Sequence, residues 1–341
     1  MISLRRHLLF LFSILSLLFL PYSTLGEEQR RTEPVKLRVV LMPYLSFAPI
    51  LIAEEEGYFA EQGLQIEFVQ MNRSAAAVPA LAQGELDVLP GTISLSFLNA
   101  IARGARIKFV ADKGYVAPTG CTHFALVARR ALVEGGELNS PARLKGRRIS
   151  AYRASSSEYY VDKVLKTAGL MPNDIEFVDV PSAVALEALK KGSIDLATSG
   201  ELSLALLLQT EQIVLWLPAQ QVIPDFQYAL ILYGPTLLDQ NPDAGRRFMV
   251  AYLKAVRQYN RGRTERNVQI LTRRAKLDQE LLRQTCWPPI RGDGRINVNS
   301  VLDFQAWAIE KKFLDKNISV DQFWDPSFVE HANQVLSTPP Q

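Results

Sequence analysis

Residues 63–90 and 169–197 are two versions of one passage. The first runs Gly63-Leu64, Ile66-Glu67-Phe68-Val69, Ser74, Ala80-Leu81, Gly84 and Leu86-Asp87-Val88. The second runs Gly169-Leu170, Ile175-Glu176-Phe177-Val178, Ser182, Ala188-Leu189, Gly192 and Ile194-Asp195-Leu196. Gly84 and Gly192 stand 108 positions apart, as do Asp87 and Asp195. A period that long exceeds a solenoid unit. Each copy reads as strand, helix and strand, which predicts two similar α/β lobes rather than one enlarged core.

The N-terminus reads as a targeting segment. Arg5 and Arg6 precede an apolar run, Leu8–Leu20, broken only by Ser13 and Ser16. Pro21 and small residues follow, with Thr24 and Gly26 at the −3 and −1 positions of a cleavage site. Residues 1–26 therefore read as a secretory signal peptide, too short for a comfortable membrane span. The cysteines, Cys121 and Cys286, lie far from that site, so a lipid-anchored cysteine is not expected. The mature chain is expected to be soluble and exported, without an anchor. Without residues 1–26 it holds 36 basic and 35 acidic residues, too balanced to argue for nucleic acid or an anionic membrane. In an exported protein Cys121 and Cys286 can pair, or remain two separate thiols.

Strand and helix alternate along the chain. Lys36–Met42 reads as a strand and Phe47–Ala60 as a helix, with Ser46 as N-cap and Pro49 in the first turn. Leu64–Val69 is a strand, Ser74–Gln83 a helix capped by Ser74, Leu86–Leu89 a strand, Thr92–Arg103 a helix and Ile107–Ala111 a strand. Thr122–Ala128 leaves the first lobe. A strand ending near Tyr152, a helix over Ser156–Ala168 capped by Ser156, the second copy, a helix from Glu201 and a strand over Ile213–Leu217 make the second lobe. Gln227–Tyr233 carries the chain back, and Asn241-Pro242 opens a long helix through Tyr259. The alternation predicts an α/β protein whose lobes are 35–126 with 229–336, and 127–228, each a mostly parallel sheet flanked by helices. Two crossings make a two-stranded hinge that permits closure.

These pieces resemble a known family. Ala48-Pro49-Ile50, Ala53, Glu56-Gly57-Tyr58-Phe59 and Gly63-Leu64 are followed by Ala80-Leu81-Ala82-Gln83-Gly84-Glu85-Leu86-Asp87-Val88. Later come Leu144-Lys145-Gly146-Arg147-Arg148-Ile149, Ala188-Leu189-Lys190-Lys191-Gly192-Ser193-Ile194-Asp195-Leu196, Phe304-Gln305-Ala306-Trp307 and Asp325-Pro326-Ser327-Phe328-Val329. In order and spacing, over about residues 36–336, the chain resembles type II periplasmic substrate-binding proteins of ABC importers. The branch is the one that includes nitrate-, alkanesulfonate- and taurine-binding proteins and thiamine-pyrimidine-synthase-like proteins. The resemblance implies a two-lobed periplasmic-binding-protein-like fold of type II, a small-molecule ligand held between the lobes, and an ABC permease in the inner membrane as partner. It implies a monomer with no cofactor and no catalysis. The ligand classes it implies are a sulfonate, a nitrate-like anion, a pyrimidine or another small aromatic or heterocycle. Two alternatives remain: a pyrimidine-precursor synthase, although the cysteine-rich run of that branch is missing here, and a ligand-sensing subunit of a membrane signalling system.

Ligands of open α/β sheets sit beyond the carboxyl ends of the strands, where helices begin. That rule nominates Tyr44, Ser46 and Phe47, then Asn72, Arg73 and Ser74, then Thr92 and Ser94. In the second half it nominates Arg153, Ser155, Ser156 and Ser157, then Ser199 and Glu201. Ser46, Ser74 and Ser156 fit helix caps as well as ligand contacts. Tyr44 and Phe47 fit a core as well as a cleft wall. Arg73 and Arg153 fit solvated charges, or a bidentate hold on an anion. Glu201 fits a helix N-terminus, or a ligand that brings a donor or positive charge. Tyr115, Tyr152 and Tyr228 could line an aromatic wall. His7, His123 and His331 are too scattered for a metal or triad site, and neither a nucleophile elbow nor a glycine-rich phosphate loop is present. The acid run Glu54-Glu55-Glu56 is expected to face solvent.

Overall fold

The structure is a computed structural model that describes residues 33–338 apart from Asn72 and Pro181. The expected signal peptide and the Asn72 nomination lie outside the described residues. The described chain forms two five-stranded sheets flanked by helices.

The first sheet contains β1 (Val35–Leu41), β2 (Leu64–Gln70), β3 (Val88–Thr92), β4 (Lys108–Tyr115) and β10 (Gln227–Tyr233). The second contains β5 (Phe124–Arg129), β6 (Arg148–Ser150), β7 (Glu176–Val178), β8 (Leu196–Gly200) and β9 (Ile213–Pro218). Their spatial orders are β2-β1-β3-β10-β4 and β7-β6-β8-β5-β9. The two orders are the same topology, with β2-β1-β3 matching β7-β6-β8 across the duplication. The sheets are mixed: in each, four strands share one direction, in line with the mostly parallel expectation, and one runs against them. β1 runs parallel to β2 and β3, and β6 to β7 and β8. β10 and β5 run antiparallel to both of their neighbours. The physical reason is the route of the chain: each of these strands enters from the other sheet, whereas parallel neighbours are joined by helical crossovers on one sheet.

The repeated residues do the same work twice. Gly84 and Gly192 hold φ of +75° and +71°, the left-handed conformation that stops a helix and that a side chain would strain. Asp87, 2% exposed, accepts from the Arg38 main-chain N–H at 2.7 Å and from its guanidinium at 3.0 Å. Asp195 accepts from the Arg148 N–H at 3.0 Å and its guanidinium at 3.1 Å. Desolvation pushes the Asp195 carboxyl up, but the Arg148 N–H and guanidinium outweigh it and hold it below the ordinary value. The first pair ties β1 to the residue that opens β3, and the second ties β6 to the residue that opens β8.

Helices cover the sheets: α1 (Ala48–Glu55), α2 (Ser74–Ala82), α3 (Leu95–Ala102), α4 (Ser156–Thr167), α5 (Ser182–Lys190), α6 (Glu201–Leu208), α7 (Pro242–Tyr259), α8 (Glu265–Ala275), α9 (Gln279–Gln284), α10 (Val298–Glu310) and α11 (Ser327–Ser337). α7 starts as expected, with the Asn241 side chain accepting from the Ala244 N–H at 3.1 Å, and it buries Phe248, Tyr252 and Val256. The acid run does not simply face solvent. Glu55 pairs with Arg273 and Arg274, and Glu56 with Arg266, so these partly buried carboxylates fasten α1 and the turn after it to α8.

Two segments join the sheets, 116–123 and 219–226. They are bonded to each other: the Val116 N–H donates to the Phe226 carbonyl at 2.9 Å, and Gln220 to the Thr122 hydroxyl at 2.7 Å. Cys121, in the first of these segments, is disulfide-bonded to Cys286 just beyond α9, with Cα atoms 5.6 Å apart. α10 spans this region. Asn297 and Ser300 bond Asp225 and Gln227, while Asp303 and Trp307 bond Tyr159, Lys163 and Asp162 of α4. Among the described residues no helix is long and apolar enough to cross a membrane.

Candidate functional site

A cavity of about 430 Å³ lies where the strand-to-helix turns of both sheets converge. The first sheet contributes Tyr44, Arg73, Ser74, Thr92 and Ser94 to its lining; the second contributes Arg153, Ser155, Ser156, Ser157, Ser199 and Glu201. Tyr152 and Tyr228 also line it, whereas Tyr115 does not: its ring lies under the Arg291 guanidinium at 3.9 Å.

Local chemistry explains this convergence. Thr92 continues β3, opposite Ala229, instead of opening a helix, and Ser94 bridges Ser155 across the two sheets. Ser155 rather than Ser156 caps α4: its hydroxyl accepts from the Ser157 N–H at 3.1 Å and donates to the Tyr152 carbonyl at 2.8 Å. Ser74 is likewise not a cap, since Arg73 occupies that position of α2 with no side-chain bond. Both helices thus begin at the cavity, with Ser74 and Ala75 of α2 and Ser156 and Ser157 of α4 in its lining, a setting that favours an anionic group.

The two arginines are not equivalent. Arg73 is exposed at the rim, with its guanidinium 5.2 Å from the Tyr152 ring centre. Arg153 is committed to Glu158 at 3.2 Å and lies over the Phe177 ring at 4.6 Å. A symmetric arginine clamp is therefore not what the geometry holds.

Ser46 and Phe47 do not line the cavity. Both are buried, and Ser46 is not the N-cap of α1, because the chain first makes a short turn over Leu45–Phe47. They form a layer beneath. The Ser46 N–H donates to Glu201 Oε2 at 3.2 Å, and its hydroxyl accepts from Lys113 Nζ at 2.6 Å. Lys113 rests on the Phe47 ring, 4.0 Å from its centre. Glu201 is 5% exposed and sits at φ +50°, with its own N–H donating to the His123 carbonyl at 2.6 Å. A non-glycine residue in that region costs about 1 kcal/mol or more, so the surroundings impose this carboxylate on the cavity. His123 packs edge-on against Tyr228, and burial pushes its imidazole down to about 4.

Sequence reasoning missed Phe124, Asp179, Thr198, Ser96 and Ser203 in the lining, and Lys113 beneath it. Asp179 lies in the turn after β7, the counterpart of the turn after β2 that holds the nominated Arg73 and Ser74, so the strand-end rule applied to the second copy points to it. Among the described residues, no histidine, cysteine or lysine lines the cavity. Among them also, no group of three or more His, Cys, Asp or Glu side chains is placed to hold a metal.

The model of the NMT1/THI5-like family matches residues 45–260. The chain belongs to the NMT1/THI5-like family. The family span contains every residue of the cavity lining except Tyr44. No curated protein is a significant match. Among solved structures, the ligand-binding component of an ABC-type import system from Staphylococcus aureus is similar at a TM-score of 0.72 and 17% identity, covering 87% of this chain and 99% of that one. The periplasmic aliphatic sulphonate-binding protein SsuA from Escherichia coli is similar at 0.70 and 17%, covering 86% and 93%. The desulfurization enzyme DSZB, solved with biphenyl-2-sulfinic acid, is similar at 0.62 and 13%, covering 88% and 99%. This NMT1/THI5-like chain therefore has the two-sheet fold of periplasmic solute-binding proteins.

Proposed function

We propose that the protein is an exported solute-binding receptor of an ABC importer, working in the periplasm as a monomer. In this reading residues 1–26 are a cleaved signal peptide. Residues 35–126 with 229–336 form one lobe and 127–228 the other, with β5 and β10 crossing a few residues before those limits. The lobes close over a small organic molecule and the closed form engages a permease in the inner membrane. One observation carries the reading: a single cavity is walled by serines and helix N-termini from both sheets and floored by a buried carboxylate.

The same geometry narrows the solute. The N-termini of α2 and α4 with Arg73 suit an anionic group such as a sulfonate or carboxylate. Glu201 suits a hydrogen-bond donor or a cation on the same molecule. Tyr44, Tyr152 and Tyr228 suit a flat or aliphatic body between the two. The receptor reading is favoured over an enzyme because the cavity offers serines with no histidine or lysine base beside them.

The test is a thermal-shift and calorimetric screen of the mature protein against sulfonates, nitrate, pyrimidines and aromatic acids. A bound solute raises the melting temperature, and Glu201→Gln weakens solutes that carry a donor more than those that do not. Silence across all of these classes, or catalytic turnover of one of them, overturns the proposal.

A further inference from the structure

We propose that Lys113 is a positioning residue for the cavity: acting through Ser46, it fixes the Glu201 carboxylate at the floor and supplies its counter-charge. The inference rests on the solute-binding reading of the cavity and adds to it a residue that never reaches the lining.

Lys113 lies on β4 beside Asp112, in a stretch buried from Phe109 to Gly114, and is 1% exposed. A buried ammonium needs both a hydrogen-bond acceptor and an opposite charge. The Ser46 hydroxyl supplies the first at 2.6 Å and the Phe47 ring face adds to it. The neighbouring carboxylate, Asp112, is occupied elsewhere, by the main-chain N–H groups of Arg291 and Gly114 and the side chain of Gln227. Glu201 is the largest favourable charge acting on Lys113, and Ser46 lies between them, bonded to both. Lys113, Ser46 and Glu201 thus form a chain from the first sheet to the N-terminus of α6 on the second. With the ammonium charged, the floor presents a neutralised pair rather than a bare carboxylate, so an anionic solute is tolerated next to Glu201.

Burial lowers Lys113 to about 8, with Glu201 and then Asp112 opposing the drop. Asp112, raised by burial to about 6, titrates below that range. Burial and Glu201 push the hydroxyls of Tyr44, Tyr228 and Tyr259 above the ordinary tyrosine value, and His123 is neutral well below pH 7. Above pH 8 the floor therefore becomes net negative.

The experiment uses two probes of fixed charge, 2-guanidinoethanesulfonate and butanesulfonate, titrated calorimetrically at pH 7 and pH 9.5. In the wild type the affinity ratio should move toward the guanidinium probe by about tenfold over that interval. Lys113→Met should show the raised ratio already at pH 7 and no pH dependence. Lys113→Gln, which keeps a donor for Ser46 without the charge, should behave the same in the ratio. Crystal structures of the unliganded variants separate position from charge: Glu201 leaves Ser46 in Lys113→Met and stays in Lys113→Gln. A merely structural lysine would lower both affinities alike and leave the ratio unchanged; that result, or a Glu201 unmoved in Lys113→Met, overturns the proposal. If neither sulfonate binds the wild type, the receptor reading loses support, and the position of Glu201 in the two variants still decides the role of Lys113.

Discussion

Replacing both cysteines, Cys121→Ser with Cys286→Ser, should cost more stability than any single surface substitution in this chain. The bond closes a sequence separation of 165 residues. In the chain-entropy treatment a loop of that length removes about 17 cal/mol/K from the denatured ensemble, or about 5 kcal/mol at 25 °C. Measured losses for native disulfides run at about 2–5 kcal/mol, so the expected loss lies in the upper part of that range. The native contacts around the bond do not run through the sulfurs and should persist in the variant: Trp287 stacks on Tyr259 at 5.2 Å, and Gln220 bonds Thr122. The effect should therefore fall mainly on the unfolded chain. Equilibrium urea unfolding, followed by tryptophan fluorescence, should show a midpoint lower by about 1.5 M and a steeper denaturant slope, because the unlinked denatured chain exposes more surface. Reducing agent should bring the wild type to the same curve and leave the double variant unmoved. A loss under about 1 kcal/mol, or an unchanged slope, would refute the argument from loop length.

Other outcomes follow from the same structure. Asp87→Ala and Asp195→Ala each strip a carboxylate from a matched arginine pair and should each cost about 2 kcal/mol in urea unfolding; the two losses should add to within about 0.5 kcal/mol, since the pairs lie in different sheets. Gly91→Ala would place a Cβ 2.7 Å from the Phe97 ring and 2.8 Å from the Ser74 Cβ, so it should lower stability by about 1–3 kcal/mol and weaken any ligand that contacts Ser74. His123 has a folded value of about 4, below its unfolded value, so the unfolded chain binds a proton that the native one refuses. Its stabilising contribution is complete above about pH 6.5 and is lost as pH falls toward 4. Asp112, raised by burial to about 6, runs the other way, gaining relative stability as pH falls through 6. The stability difference between wild type and His123→Asn should therefore shrink by about 2–3 kcal/mol between pH 7 and pH 4.5, whatever Asp112 does to both. A constant difference across that range would show that the histidine is not buried neutral.

Much of the architecture was readable before any coordinates. The duplicated passage carried the two-lobed plan, and the apolar run Gln227–Tyr233 was bounded correctly because nothing polar interrupts it. The nominated turns meet in space because both copies end their parallel strands on the cavity side. Periodicity could not show that Ser74 and Ser156 sit one residue inside their helices, because adjacent serines and arginines carry no pattern that separates a cap from the first turn. It also could not tell that Ser46 lies under the site, since burial there depends on Lys113, 67 residues away. The expected strand over Ile107–Ala111 ends before Asp112 and Lys113, residue types rarely buried unless paired. The strand runs on to Tyr115 because each charge finds a partner from another part of the chain.

The position of β10 bears on how the polypeptide assembles after synthesis. β10 fills a slot between β3 and β4, yet it is made only after all five strands of the other sheet. β5 through β9 are contiguous and can pair as soon as they emerge. β3 and β4 must wait with facing edges unsatisfied, and such edges invite pairing with foreign strands. A nascent copy halted before residue 227 would hold one finished half and one with a missing stave, the form on which holding chaperones and quality-control proteases act.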